Sequence, residues 1–208
     1  MKFVLFVEGH TERKAIPSFL KRWLDVRLSQ RVGIKPVRFN GWKEFVDDLP
    51  KKVTMHLHGP GSEDTIAVIG LLDLYGPTFY PTDRWTAQER IDWATDYIQR
   101  QVKEDRFRMF FAVYELEAWL FSNPALFPAT IRKAFPGAVN SPETIDFEEP
   151  PAQLLDRLYY EKEKKHYKKV VDGQELFSRL DPALVYEKCS NFAHMLDEML
   201  SLAHQAGL

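Results

Sequence analysis

The chain opens Lys2-Phe3-Val4-Leu5-Phe6-Val7-Glu8-Gly9-His10-Thr11-Glu12. Apolar residues in unbroken succession are what a strand covered on both faces requires. The acid at its tip, and a glycine that lets the backbone turn into helix-start residues, place Glu8 at the carboxyl edge of a sheet, where open α/β folds build their sites. A second apolar run, Thr65 to Leu72, ends in Asp73-Leu74-Tyr75-Gly76, and a third, Met109 to Val113, runs into Tyr114-Glu115-Leu116-Glu117. Three strand ends thus deliver three carboxylates, and a bound hard divalent cation is the simplest way to hold them together.

Working outward, Ile16, Phe19, Leu20, Trp23 and Leu24 recur at helical spacing, which predicts an amphipathic helix over 11–28 that either starts near Ala15 or bends at Pro17. Gly33 to Phe39 reads as a short strand and Trp42 to Leu49 as a helix stopped by Pro50; the segment 51–58 stays open between helix and surface segment. Thr86 to Asp105 reads as a helix, with Thr86 and Glu89 spaced for a capping box. Arg108 to Val113 is the next strand, and Glu115 to Phe121 starts a further helix. Strand and helix alternate four times, which predicts an α/β fold with a parallel sheet of about four strands, Lys2 to Val7 and Ile66 to Leu72 being central neighbours. Beyond Pro124 the pattern turns helical over 126–135, 151–169 and 185–202, with a loop over 136–150. The expected organisation is an α/β domain over residues 1–123 and a helical C-terminal extension over residues 124–208, packed against one sheet edge.

Composition narrows the function classes. A chain of 208 residues can bury a continuous core, and no stretch approaches the roughly 18 uninterrupted apolar residues of a membrane span. The apolar start is too short for a signal-peptide core, so a cytoplasmic location is expected. The single cysteine, Cys189, excludes an internal disulfide framework and a cysteine-based zinc site. A formal net charge of −2 is not that of a protein gripping duplex nucleic acid by charge alone. Charge is unevenly placed, however. Lys162, Lys164, Lys165, His166, Lys168 and Lys169 cluster with Tyr159, Tyr160 and Tyr167, a segment that reads either as a solvated face or as a track for a nucleic-acid backbone with rings to stack bases.

Glu8 and Glu12 stand four residues apart, so both can face one point above the sheet edge if a helix follows Gly9 directly. Glu12 also reads as a first-turn acid complementing the helix dipole, and Asp73 as a turn-former beside Gly76. Of Glu115 and Glu117, one should point into the site; Glu117 is the choice, with Glu115 taking the role if Glu117 faces away. His10, His56, His58 and His194 lack zinc-hydrolase spacing, and no phosphate loop, nucleophile elbow or dinucleotide fingerprint is present. Oxygen ligands from Glu8, Glu12, Asp73 and Glu117 point to magnesium or manganese.

At these residues the chain resembles a known family. Glu8-Gly9, Asp73 with Gly76 behind it, and Glu117-Ala118-Trp119-Leu120 resemble the TOPRIM fold. More closely, they resemble a TOPRIM-like bacterial family related to overcoming-lysogenization-defect (OLD) nucleases and to proteins of abortive-infection and restriction-linked loci. The likeness covers 1–123, with Tyr167-Lys168-Lys169 and Cys189-Ser190-Asn191-Phe192 family-like in the tail. It implies metal-dependent phosphodiester cleavage of DNA or RNA, a downstream lysine (Lys168 or Lys169) stabilising phosphate charge, and an ATPase partner in a phage-defence pair. One departure is that the Asp-x-Asp motif reads Asp73-Leu74-Tyr75, so Glu12, Glu115 or Asp83 replaces the missing acid or a single metal binds. Competing readings are a catalytically weak interaction module on the same fold and, ranked last, a nucleotidyl-transfer role.

Overall fold

The computed structural model describes residues 1–135, 140–144 and 149–208. Four strands, β1 (Lys2–Val7), β2 (Gly33–Arg38), β3 (Thr65–Asp73) and β4 (Phe107–Ala112), form one sheet in the order β2-β1-β3-β4, all pairings parallel. β1 and β3 are the central neighbours, as their unbroken apolar runs require. Their side chains alternate between two cores: Phe3, Leu5 and Val7 enter one, Val4 and Phe6 the other.

The connections explain the layering. α1 (His10–Leu24) leads from β1 outward to β2, whereas α2 (Trp42–His58) and α3 (Ala87–Val102) lead in the opposite direction across the sheet. Right-handed crossovers therefore put α1 on one face and α2 with α3 on the other. Strand order reverses between β1 and β3, so the crevice at their carboxyl ends is a topological switch point, the place where open α/β sheets take ligands.

Two prolines are overridden by burial. α1 runs through Pro17 without restarting at Ala15. α2 does not stop at Pro50 but continues to His58, because Phe45, Leu49, Val53 and Leu57 form one stripe, each no more than 2% exposed, on both sides of the proline. Burying the two residues beyond it offsets the roughly 3 kcal/mol that an interior proline costs. α3 begins as read, with Thr86 Oγ1 accepting from the Glu89 N–H and Glu89 Oε2 accepting from the Thr86 N–H.

After β4 come α4 (Glu117–Leu120), α5 (Ala129–Arg132), α6 (Pro151–Glu163), α7 (Asp172–Arg179), α8 (Pro182–Lys188) and α9 (Ser190–Gln205), and among the described residues no strand follows Ala112. The loop expected over 136–150 lies largely outside the described residues; its described part holds a 3-10 turn, Pro142–Thr144. The helix expected over 151–169 ends at Glu163, where Lys164 adopts a left-handed backbone (φ 55°), and the helix expected over 185–202 is divided at Cys189. The tail covers a face of the sheet, not only its edge: Leu155, Phe177, Phe192 and Leu196 share a core with Phe3, Leu5, Ile16 and Phe19.

Candidate functional site

Each acid reaches the switch point by a different local device. β1 ends at Val7, and α1 begins at His10 with Gly9 as its extended N-cap residue. Gly9 is there for space rather than for backbone freedom. A Cβ on it would fall 2.1 Å from Glu12 Oε2, so the Glu12 side chain folds back over the glycine toward the strand ends. Asp73 is the last residue of β3, and its Oδ1 accepts from the Leu116 N–H at 3.1 Å, which ties it to the turn after β4. In that turn Tyr114 takes a left-handed conformation (φ 65°), uncommon for a bulky residue, and the chain re-enters as α4 with Glu117 completely buried. Trp119 locks α4 in place by packing its ring 4.7 Å from that of Phe192.

The fourth component is Lys169, on the α6–α7 loop. Its ammonium lies 3.0 Å from Glu117 Oε2, 3.8 Å from Asp73 Oδ2 and 3.8 Å from Glu12 Oε1. The loop is pinned along its length. Tyr167 is buried and its N–H donates to Asp156 at 2.9 Å, the Lys168 N–H donates to Asp172 at 2.5 Å, and Thr11 Oγ1 donates to the Lys169 carbonyl at 3.2 Å. Gly173, at the start of α7, leaves room for this packing: a Cβ there would meet the Tyr167 hydroxyl at 2.9 Å.

Of the four acids expected at the site, Glu12, Asp73 and Glu117 converge on Lys169. Glu8 stands at the rim, its carboxylate accepting from the Trp42 N–H at the start of α2 while remaining within electrostatic range of Glu12 and Lys169. Glu115 is turned toward α6, where Oε2 accepts from the Ala152 N–H at 2.9 Å. Asp83 pairs with its neighbour Arg84 at 3.5 Å, and Tyr75 is half exposed beside Trp85, so of Glu12, Glu115 and Asp83 it is Glu12 that stands with Asp73 and Glu117 around Lys169. Lys168 is exposed and carries no ion pair among the described residues, which leaves Lys169 as the lysine of the site. The geometry also brings in Gly9 and Thr11 as positioning residues; only the Cβ clash at the first, and a buried hydroxyl at the second, reveal them.

Three carboxylates around one ammonium leave two surplus negative charges when all are ionised. Burial first, and the neighbouring carboxylates second, raise the carboxyl pKa values. Burial pushes Glu117 up to about 7, with Lys169 opposing and Glu115 and Glu12 adding to the rise. Burial likewise raises Asp73 well above the usual range, against the pull of Lys169. Lys169 itself is held charged: burial works against the ammonium, but Glu117, Asp73 and Glu12 outweigh it and raise its pKa. Among the described residues Glu12 Oε2 and both Glu117 carboxylate oxygens have no hydrogen-bond partner, the contact of Glu117 with Lys169 being a close ion pair without hydrogen-bond geometry. Orphaned, buried, oxygen-only donors with excess negative charge fit a hard divalent cation chemically. Among the described residues no three His, Cys, Asp or Glu side chains are grouped closely enough to hold a metal ion.

Comparison with solved structures places this architecture beside the C-terminal region of the Burkholderia pseudomallei OLD protein. The TM-score is 0.50 at 18% identity, over 97% of this chain and 98% of that one. The C-terminal region of the Xanthomonas campestris pv. campestris OLD protein is more distant, with a TM-score of 0.43 at 20% identity, over 98% of this chain and 97% of that one. At these identities the likeness is one of fold. No curated protein matches the sequence. Residues 7–200 match the family described as Domain of unknown function (DUF4276), and the chain belongs to that family.

Proposed function

We propose that this chain is a divalent-metal-dependent nuclease that cleaves phosphodiester bonds of DNA or RNA, with a TOPRIM-type acidic centre. The observation that carries the reading is the meeting of Glu12, Asp73 and Glu117 around the Lys169 ammonium at the switch point of the sheet, with two negative charges more than Lys169 neutralises. Glu12, Asp73 and Glu117 would hold magnesium or manganese, with Glu8 at the rim. When bound, the ion supplies Lewis-acid polarisation of the phosphoryl group. Lys169, part-exposed and permanently charged, offers its ammonium to the negative charge that develops on the phosphate oxygens. Burial keeps Glu117 partly protonated near neutral pH in the metal-free protein, so taking up the ion would release a proton from its carboxyl group. Among the described residues no helix is long and apolar enough to cross a membrane. An ATPase partner and a role in phage defence rest on the family resemblance.

A second reading is favoured by one feature: Lys169 already stands at the cation position, as it would in a catalytically weak interaction module that retained the fold. Cleavage assays on single-stranded DNA, duplex DNA and structured RNA, in magnesium and in manganese, separate the two. Cleavage is expected, with Glu8→Ala and Asp73→Ala each abolishing turnover while circular dichroism is unchanged. Wild-type protein with neither cleavage nor a metal-dependent rise in Tm would overturn the nuclease reading and favour the interaction module.

A further inference from the structure

A groove of about 470 Å³ runs from Lys169 along α6, floored by Gln153, Arg157 and Tyr160 on the helix and by His166 and Tyr167 on the loop that carries Lys169. Two of its rings are held out to solvent. Tyr160 is 54% exposed and stacks on His166, with ring centroids 5.1 Å apart and planes 26° from parallel. His166 does not swing freely, because Nδ1 lies 3.1 Å from Asp156 Oδ1, the same oxygen that accepts from the Tyr167 N–H.

The charge around these rings is sorted. The acids are already engaged: Glu149 and Glu161 with Arg157, Asp156 with His166, and Glu163 with the Thr130 hydroxyl. Lys162, Lys164, Lys165 and Lys168 are exposed and make no ion pair among the described residues; Lys164 instead places its ammonium 5.8 Å from the Tyr160 ring centroid. Exposed, pre-stacked rings, with Lys164 over one of them and further unpaired lysines in the same segment, are the parts of a single-strand binding track, in which rings take bases and cations follow phosphates. A duplex keeps its base faces buried in its own stack and has no use for the rings.

We propose that this groove seats unpaired nucleotides on the Tyr160–His166 stack and leads their backbone to Lys169, so that the substrate is single-stranded nucleic acid. The proposal rests on the nuclease reading for what happens at the end of the groove, and its test is binding rather than turnover. Fluorescence anisotropy in EDTA, with the full chain, would compare labelled oligothymidine DNA, oligouridine RNA and a duplex of equal length.

Wild-type protein should prefer an unpaired strand to the duplex by about tenfold or more, and the two single-stranded probes identify the sugar. Tyr160→Ala and His166→Ala should each weaken single-strand binding by about tenfold, with duplex binding unchanged, while Tyr160→Phe retains affinity and guards against a folding defect. Lys164→Ala should flatten the salt dependence by about 0.7 in log–log slope, as loss of one phosphate contact does. Equal affinity for duplex and single strand, or a Tyr160→Ala variant that binds as wild type does, would overturn the proposal; so would binding of acidic polypeptide in place of all three nucleic acids. Ring-dependent single-strand binding without any cleavage would leave the groove standing and remove the nuclease.

Discussion

At Gly9 the missing side chain is what positions a carboxylate. A Cβ would sit 2.1 Å from Glu12 Oε2 and 2.9 Å from Cδ, and the backbone there is extended, so alanine is tolerated by the chain but not by Glu12. Gly9→Ala should therefore leave the fold intact and cost about 100-fold in turnover by displacing Glu12, the usual price of an ångström-scale misplacement. Matching circular dichroism spectra with unchanged turnover would remove Glu12 from the site. The carboxyl groups also predict a pH dependence. Glu117 rises from its ordinary 4.5 to about 7 in the folded protein, and Asp73 rises too, so the folded state binds more protons than the unfolded chain between those values. Stability from this source is present in full below the unfolded pKa and is lost as pH rises through the folded one. Metal-free Tm should fall from pH 5 to pH 8, Glu117→Gln should flatten the decline, and magnesium at pH 8 should restore Tm in wild type only. A Tm that climbs over this window would contradict the burial of uncompensated charge. Asp73 was legible in sequence because it ends a strand, and Glu12 and Glu117 because each stands in the first turn of the helix that follows one; that Glu8 would turn to the Trp42 N–H was not, since the start of α2 lies more than thirty residues away.

The elements that could be read were those whose signals are local. Unbroken apolar runs marked β1 and β3, and Thr86 with Glu89 marked the start of α3. Where two local signals compete, the sequence is ambiguous, as in α2, where proline chemistry says stop and the stripe Phe45, Leu49, Val53, Leu57 says continue. The stripe prevails because it lies against the sheet. Leu57→Ala should consequently lose about 2–5 kcal/mol in urea denaturation, like any buried leucine, even though it follows the proline. Pro50→Ala should gain about 1–3 kcal/mol by restoring an interior helical hydrogen bond. A silent Leu57→Ala would mean that the second half of α2 is frayed. Signals that operate over long distances were illegible. Glu143 caps α9 by accepting from the Asn191 N–H at 2.8 Å and the Phe192 N–H at 3.3 Å, across 48 and 49 residues of chain. Nothing in the neighbourhood of either segment announces it. The same holds for Lys169, which helical continuity placed on α6 and the left-handed turn at Lys164 moves onto a loop.

At the scale of the whole molecule, the site and the core are joined across the same boundary. The acids come from residues before 123 and the ammonium from Lys169, while the core on the α1 face mixes Phe3, Ile16 and Phe19 with Leu155, Phe177 and Phe192. Phe19 stacks on Trp119, meets Phe177 edge to face and tilts against Phe192. A chain ending at residue 123 would expose that face and leave the surplus of buried carboxylates without their cation, two changes that each cost several kcal/mol against a total stability of roughly 5–15 kcal/mol. The full chain is therefore expected to unfold in a single transition, with near- and far-ultraviolet circular dichroism coincident, and residues 1–123 expressed alone should fail to give a cooperative melt. Lys169→Met in the full chain isolates the electrostatic part. It removes the ammonium but keeps the length of the side chain, and should destabilise the metal-free protein by about 3–5 kcal/mol, as loss of one partner from a buried ion pair does. Magnesium or manganese should recover part of that loss by taking up the charge that Lys169 leaves uncompensated, so the metal-induced rise in Tm should be larger in the variant than in wild type. A smaller rise would mean that the lysine helps to build the cation site, and an equal one that metal and ammonium occupy separate places.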